Sequence, residues 1–145
     1  MSEQVNLNNA RFDDQRQVMQ EIIADNVCPF CPDHLEKYHK EPILRRGEHW
    51  TITPNQWPYK HTRLHLLAIA SHHAESLSDL KPGSMDELLA HFQWAELTYK
   101  VAAGGLAMRF GDVKKNGASV NHLHAHFIVP EENLPPDKKV RFKIS

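Results

Sequence analysis

The chain has only two cysteines in 145 residues, Cys28 and Cys31. Lying three positions apart, they would close too small a loop to staple a fold. A disulfide-rich secreted scaffold is therefore excluded. No apolar run approaches the roughly 20 residues that cross a bilayer. The opening stretch MSEQVNLNNARFDDQ is too polar for a secretory signal. Surplus charge is also missing: 17 Lys and Arg stand against 18 Asp and Glu, a net −1 with histidine neutral. Nothing in that balance suggests a bulk nucleic-acid or membrane-surface binder. There is no internal repeat and no low-complexity segment. The expectation is a soluble, cytoplasmic protein with one domain over residues 1–145, long enough to bury a core without staples.

Histidine, by contrast, is abundant, with eleven in the chain. Most are scattered, but His122, His124 and His126 stand at alternate positions in the stretch NHLHAHFIV.

Hydrophobic periodicity places the elements. Residues 10–25 read as a helix with Phe12, Met19, Ile22 and Ile23 on one face and Asn8 or Asn9 as its cap. Pro29 and Pro32 force a tight, non-helical knuckle around the two cysteines. Two short strands over 43–46 and 49–53, with Gly47 at the turn, form a hairpin. Residues 53–60 are a loop, and 64–70 a buried strand. Lys81-Pro82-Gly83 is a turn, after which Ser84 and Glu87 match a capping box. The helix that follows carries the stripe Met85, Leu88, Leu89, Phe92, Ala95 and Tyr99, and ends at Gly104-Gly105. Residues 106–110 form a strand, 111–117 a polar loop, and 120–129 the last long strand. The tail from residue 130 is loose, with a short strand at 140–144. This order predicts an α+β fold built on an antiparallel sheet, with its core over about 28–129.

Two patterns carry chemistry. Side chains alternate faces along a strand, so His122, His124 and His126 share one face while Leu123, Ala125 and Phe127 share the core face. Imidazole is a nucleophile and proton carrier near neutral pH. The bland alternative is a solvated strand face rich in histidine. The second pattern is Cys28-x-x-Cys31, a spacing frequent in zinc sites. Cys-Pro-Phe-Cys is also a glutaredoxin active-site string, but that reading needs a strand before the motif and a helix after it. Here a helix precedes and Pro32 follows. Plain buried thiols are the third possibility. Zinc would need two further ligands, and His72 or His73, just beyond the buried strand, is a reasonable third.

Together these stretches resemble the histidine-triad (HIT) superfamily, in its zinc-containing CxxC branch. The hallmark His-φ-His-φ-His-φ-φ, with φ apolar, is present in full as HLHAHFI, residues 122–128. Asn55-Gln56-Trp57-Pro58 and the stretch His65 to His73 resemble the family's N-x-x-P and H-x-L-x-x-P-x-x-H segments, with Ala70 in place of the usual proline.

The resemblance implies roles residue by residue. His124 matches the nucleophile, His126 the histidine that contacts the phosphate and helps the leaving group depart, and His122 the one that steadies the nucleophile. In zinc-containing members the first histidine also ligates the metal. The implied structural zinc set is Cys28, Cys31, His73 and His122, with His72 the fallback for His73. Ser119 matches a phosphate-binding serine, and Asn55 a position that faces the ribose. Ala118 departs from the glutamine that often precedes that serine. Arg109 stands where an asparagine is usual. As a planar bidentate donor it can neutralise phosphate charge, the alternative being a surface arginine at a strand end.

The implied activity is hydrolysis or nucleotidyl transfer on a nucleoside phosphate derivative, of the dinucleoside polyphosphate or phosphoramidate type. Adenine is the family's habitual base, and homodimers are its habit. Two other classes stay open: a nucleotide-binding module with vestigial chemistry, and a zinc-stabilised interaction protein or a redox protein using Cys28.

Overall fold

The run Thr62–Ala70 (β3) carries enough apolar residues to be buried on both faces, and it becomes the middle strand of the molecule. The computed structural model describes residues 4–145. The other strands are Arg45–Arg46 (β1), Trp50–Pro54 (β2), Gly105–Met108 (β4) and His124–Pro130 (β5). They form one five-stranded sheet in the order β1-β2-β3-β5-β4, antiparallel throughout. The helices are Asp13–Asp25 (α1), Leu35–Tyr38 (α2), Ser84–Thr98 (α3) and Val113–Asn116 (α4). The fold is α+β, built on an antiparallel sheet as expected. Among the described residues no helix is long and apolar enough to cross a membrane.

Register sorts the side chains into two faces. Ala68 pairs with Ala125 and Leu66 with Phe127, while Ile69 pairs with His124 and Leu67 with His126. Cross-strand partners project to the same side. One face therefore collects Trp50, Ile52, Leu66, Ala68, Ala125 and Phe127, which pack against Leu88, Phe92 and Ala95 of α3. The opposite face carries His124 and His126 beside Leu67 and Ile69. Leu35 and Phe30 of the knuckle region pack against that second face, and α1 with Tyr38 forms a cluster of its own.

Several boundaries differ from expectation. α1 starts at Asp13, and Phe12 at its N-cap makes no side-chain bond. Asn6 instead caps a 3-10 turn, Leu7–Asn9, that precedes it. Ser84 and Glu87 form no capping box. Gly83 is the N-cap, and the Glu87 carboxylate accepts from the backbone N–H groups of His49 and Trp50 across on the hairpin. A capping box does form at Ser76 and Asp79, around the 3-10 turn Leu77–Asp79.

α3 ends at Thr98, before Gly104. Gly104 serves a different need, because a Cβ there would meet the Ile128 carbonyl oxygen at 2.7 Å. Met85 and Leu89 are 53% and 56% exposed, because the sheet beneath α3 covers only the Leu88–Phe92–Ala95 stripe. The expected polar loop at 111–117 contains α4, capped by Asp112.

The last strand begins at His124, so His122 precedes it. The chain there is claimed by other partners: Val120 bridges Val5, and the Leu123 amide donates to the Ala74 carbonyl. No strand forms at 140–144. That tail is held by side chains instead: Arg109 Nε donates to the Lys143 carbonyl at 2.7 Å.

Candidate active site and metal cluster

Two adjacent constellations grow from the junction of β3 and β5. The first gathers Cys28, Cys31, His73 and His122, whose potential ligand atoms all lie within 4.8 Å of one another. Cys28 Sγ is 3.4 Å and Cys31 Sγ 3.7 Å from His122 Nδ1, and Cys31 Sγ is 3.3 Å from His73 Nδ1. A tetrahedral zinc with bonds of about 2.0–2.3 Å holds its ligand atoms roughly 3.3–3.8 Å apart, and these three cysteine–histidine pairs fall in that range.

The outer contacts fit as well. His122 Nε2 donates to the Ala70 carbonyl at 2.7 Å, and His73 Nε2 donates to Glu75 at 2.8 Å. Both rings thus turn an unprotonated Nδ1 toward the sulfurs, the arrangement that orients metal-bound histidines. Burial, and then the neighbouring Cys28 sulfur, push the Cys31 thiol up to about 12. A bound cation would reverse that shift and favour the thiolate. His72 lies outside the cluster.

The second constellation is the triad itself. Carbonyl oxygens can only accept, which assigns the ring protons. His124 Nδ1 lies 2.7 Å from the His122 carbonyl and therefore carries the proton, leaving the Nε2 lone pair for the cavity. His65 Nδ1 accepts from the Tyr59 amide at 3.1 Å, so its Nε2–H donates to His126 Nδ1 at 2.8 Å. His126 is thereby an Nε2–H donor, and that nitrogen is buried without a partner. Burial is the leading cause that lowers all these rings: His65 to about 3, His122 and His124 to about 4, and His126 well below its ordinary value. All are neutral at pH 7. Phe30, at the apex of the knuckle, sets its ring edge-on to His124 at 5.1 Å.

His124 and His126 line a cavity of about 560 Å³, within the range of small-ligand sites. Ser119, Asn55 and Arg109 line it too. The Asn55 side chain is partly engaged at home: its Oδ1 accepts from the Trp57 amide at 2.9 Å. Arg109 is no unattached surface arginine. Its Nη1 donates to the Tyr59 hydroxyl at 3.0 Å, and its guanidinium covers the Phe142 ring at 3.9 Å. His122 is the one triad member outside the cavity lining, because its ring joins the cysteines.

Sequence reasoning assigned no role to His65, Tyr59, Phe30, Arg11 or Phe142. His65 had a visible signal, since it opens the H-x-L segment. The others reach the site through long-range contacts that leave no local pattern. Arg11 lies 4.4 Å over the Tyr59 ring, and Phe142 lies 5.3 Å from His126.

The HIT domain family model matches residues 58–133, more than half of the chain, and the chain belongs to that family. No curated protein matches it in sequence. Among solved structures it is similar to a zinc-bound histidine triad family protein from Mycobacterium smegmatis, at 20% identity over 77% of this chain and 78% of that one, with a TM-score of 0.53. It is also similar to a hypothetical histidine triad nucleotide-binding protein from Sulfolobus tokodaii, at 22% identity over 81% and 78%, with a TM-score of 0.58. A third is a diadenosine triphosphate hydrolase from Plasmodium falciparum, at 19% identity over 65% and 64%, with a TM-score of 0.52. At these identities the likeness establishes the fold.

Proposed function

We propose that this protein is a nucleotide-cleaving enzyme that works through a covalent nucleotidyl-histidine on His124. The observation that carries the reading is the 2.7 Å contact between His124 Nδ1 and the His122 carbonyl oxygen, which assigns the ring proton to Nδ1. It leaves Nε2 unprotonated and nucleophilic at neutral pH. Nε2 attacks the α-phosphorus of a nucleoside phosphate derivative, of the dinucleoside polyphosphate or phosphoramidate type, and the bond to the leaving group breaks. His126 Nε2–H, with the Ser119 hydroxyl and Arg109, stabilises charge on the phosphoryl and leaving-group oxygens. Water then attacks phosphorus, and the P–N electron pair returns to His124. An acceptor other than water would make the same machinery a phosphorylase or nucleotidyltransferase. Asn55 borders the cavity where the ribose would lie.

Cys28, Cys31, His73 and His122 would hold a zinc ion. Four protein ligands leave no open coordination position, so its part is structural: it ties the knuckle to the start of β5. The CxxC pair favours this zinc branch of the family. Adenine is the base expected by family habit. The edge strand β4, with Leu106 61% exposed, offers a surface for the homodimer that the family implies.

The test is an alkaline quench of the enzyme mixed with substrate labelled at the α-phosphorus. The label should appear on His124 as a base-stable, acid-labile adduct. Label elsewhere, or normal turnover by His124→Ala, defeats the proposal.

A further inference from the structure

Charge is close to balanced over the whole chain but not around the cavity. Six of its 17 Lys and Arg residues line it: Arg11, Lys60, Arg109, Lys139, Arg141 and Lys143. Among the described residues, no Asp or Glu does. Among the described residues, none of the six forms an ion pair with a carboxylate. Such one-signed walls focus potential and select for anions.

Four of the six lie outside the stretch shared with the family, residues 58–133, and three come from the C-terminal tail. That tail is seated by contacts. Phe142 packs 5.3 Å from the His126 ring and 6.2 Å from Tyr59. Arg109 covers Phe142 and binds the Lys143 carbonyl. Lys143 Nζ donates to Asn9 at 3.2 Å. Lys139, Arg141 and Lys143 are thereby set at the exposed rim of the cavity.

We propose that the seated C-terminal tail is a specificity element whose Lys139, Arg141 and Lys143, with Arg11, Lys60 and Arg109, bind a phosphate chain beyond the cleaved α-phosphorus. The preferred substrate then carries a leaving group of two or more phosphates. This rests on the nucleotidyl chemistry at His124.

The proton inventory agrees. His126 offers one Nε2–H, its Nδ1 is occupied by His65, and among the described residues no Asp or Glu lines the cavity to supply another proton. An amine leaving a P–N bond must gain a proton, whereas a phosphate leaves as an anion. In the step drawn here, the His124 Nε2–P bond forms and the P–O bond to the chain breaks. Its electron pair stays on the departing oxygen, which accepts a hydrogen bond from His126 and ion pairs from the rim. Water then attacks phosphorus, the P–N pair returns to His124, and the water's proton passes to solvent.

The experiment measures calorimetric binding of a non-hydrolysable dinucleoside tetraphosphate and of the matching nucleoside monophosphate. The full chain is compared with the variant K139A/R141A/K143A. Wild type should prefer the tetraphosphate at least about 10-fold. Each exposed cation contributes modestly and the three act together, so the preference should collapse to within about threefold in the variant. The charge-preserving variant K139R/R141K/K143R should retain it. Equal affinity for both ligands in wild type, or an undiminished preference in the alanine variant, overturns the proposal. The binding ratio is read without turnover. Absent label on His124 with an intact ratio would therefore sink the covalent reading alone.

Discussion

His65 Nε2 lies 2.8 Å from His126 Nδ1, and the Tyr59 amide on the far side of the His65 ring fixes which of the two imidazoles donates. His65 thus sets the tautomer of His126 without itself belonging to the triad. It is a positioning residue. His65→Ala should lower kcat by roughly 10–100-fold, part of the ~10²–10⁴ that a placed proton donor contributes, with a smaller change in KM. His65→Gln, whose amide can still donate, should recover much of the loss. Nitrogen chemical shifts of His126 should report the Nε2–H form in wild type and a mixture in His65→Ala. Identical shifts in both proteins would contradict the assignment.

Removal of the metal-binding set should be felt first in stability. Cys28→Ala or Cys31→Ala should abolish stoichiometric zinc and lower Tm by roughly 10 °C, given that a chain of this size loses a few degrees per kcal/mol. Elemental analysis of protein purified without added zinc should give about one zinc per chain. A metal-free preparation with an unchanged Tm would remove zinc from the account.

Arg109 joins Tyr59, Phe142 and Lys143 at one edge of the cavity. Arg109→Ala should reduce kcat/KM by roughly 10–100-fold. Arg109→Lys should recover little, because an ammonium cannot reproduce the planar fork. Unaltered kinetics in Arg109→Ala would show that its contacts serve only the tail.

Burial lowers His39 to about 4, its Nε2 donating to Thr53 Oγ1 at 2.7 Å, and lowers His65 to about 3. Their unfolded values lie near 6.5. Between about pH 6.5 and those lower values the unfolded chain binds protons that the folded chain refuses. Stability should therefore fall as pH falls through this window and should not depend on these groups above it. Urea titrations at intervals from pH 7.5 to 4.5 measure the slope. His39→Gln should show a shallower slope than wild type, since it removes one such group. Parallel slopes would mean His39 contributes nothing.

Much of the site was legible in the sequence because its residues are close in the chain and obey period two. HLHAHFI announces a strand with one histidine face, and Cys28-x-x-Cys31 announces a paired ligand. The register His65 to His73 also singles out the histidine that lies beside the cysteines. Local rules misled where a distant partner outcompeted the local one. Ser84-x-x-Glu87 has capping-box spacing, yet Glu87 satisfies two hairpin amides that would otherwise lack a partner. Gly104 looks like a helix stop but is required by the approach of β5. His122 has strand periodicity, but its segment is claimed by contacts to Ala74 and the N-terminal residues. The basic wall was invisible because Arg11 is separated from the triad by most of the chain, and the tail, though it follows the triad closely in sequence, carries no periodic pattern that would fold it back.

His122 does two separate jobs with two separate parts. Its ring belongs to the cysteine cluster, while its backbone oxygen fixes the proton of His124. A main-chain atom is not changed by replacing a side chain. Evolution or design could therefore trade the His122 imidazole for another side chain, such as cysteine, and the His124 Nε2 lone pair would stay aimed as long as the loop keeps its path. The proposed metal site and the proposed phosphoryl chemistry could then drift independently, although a single residue would serve both.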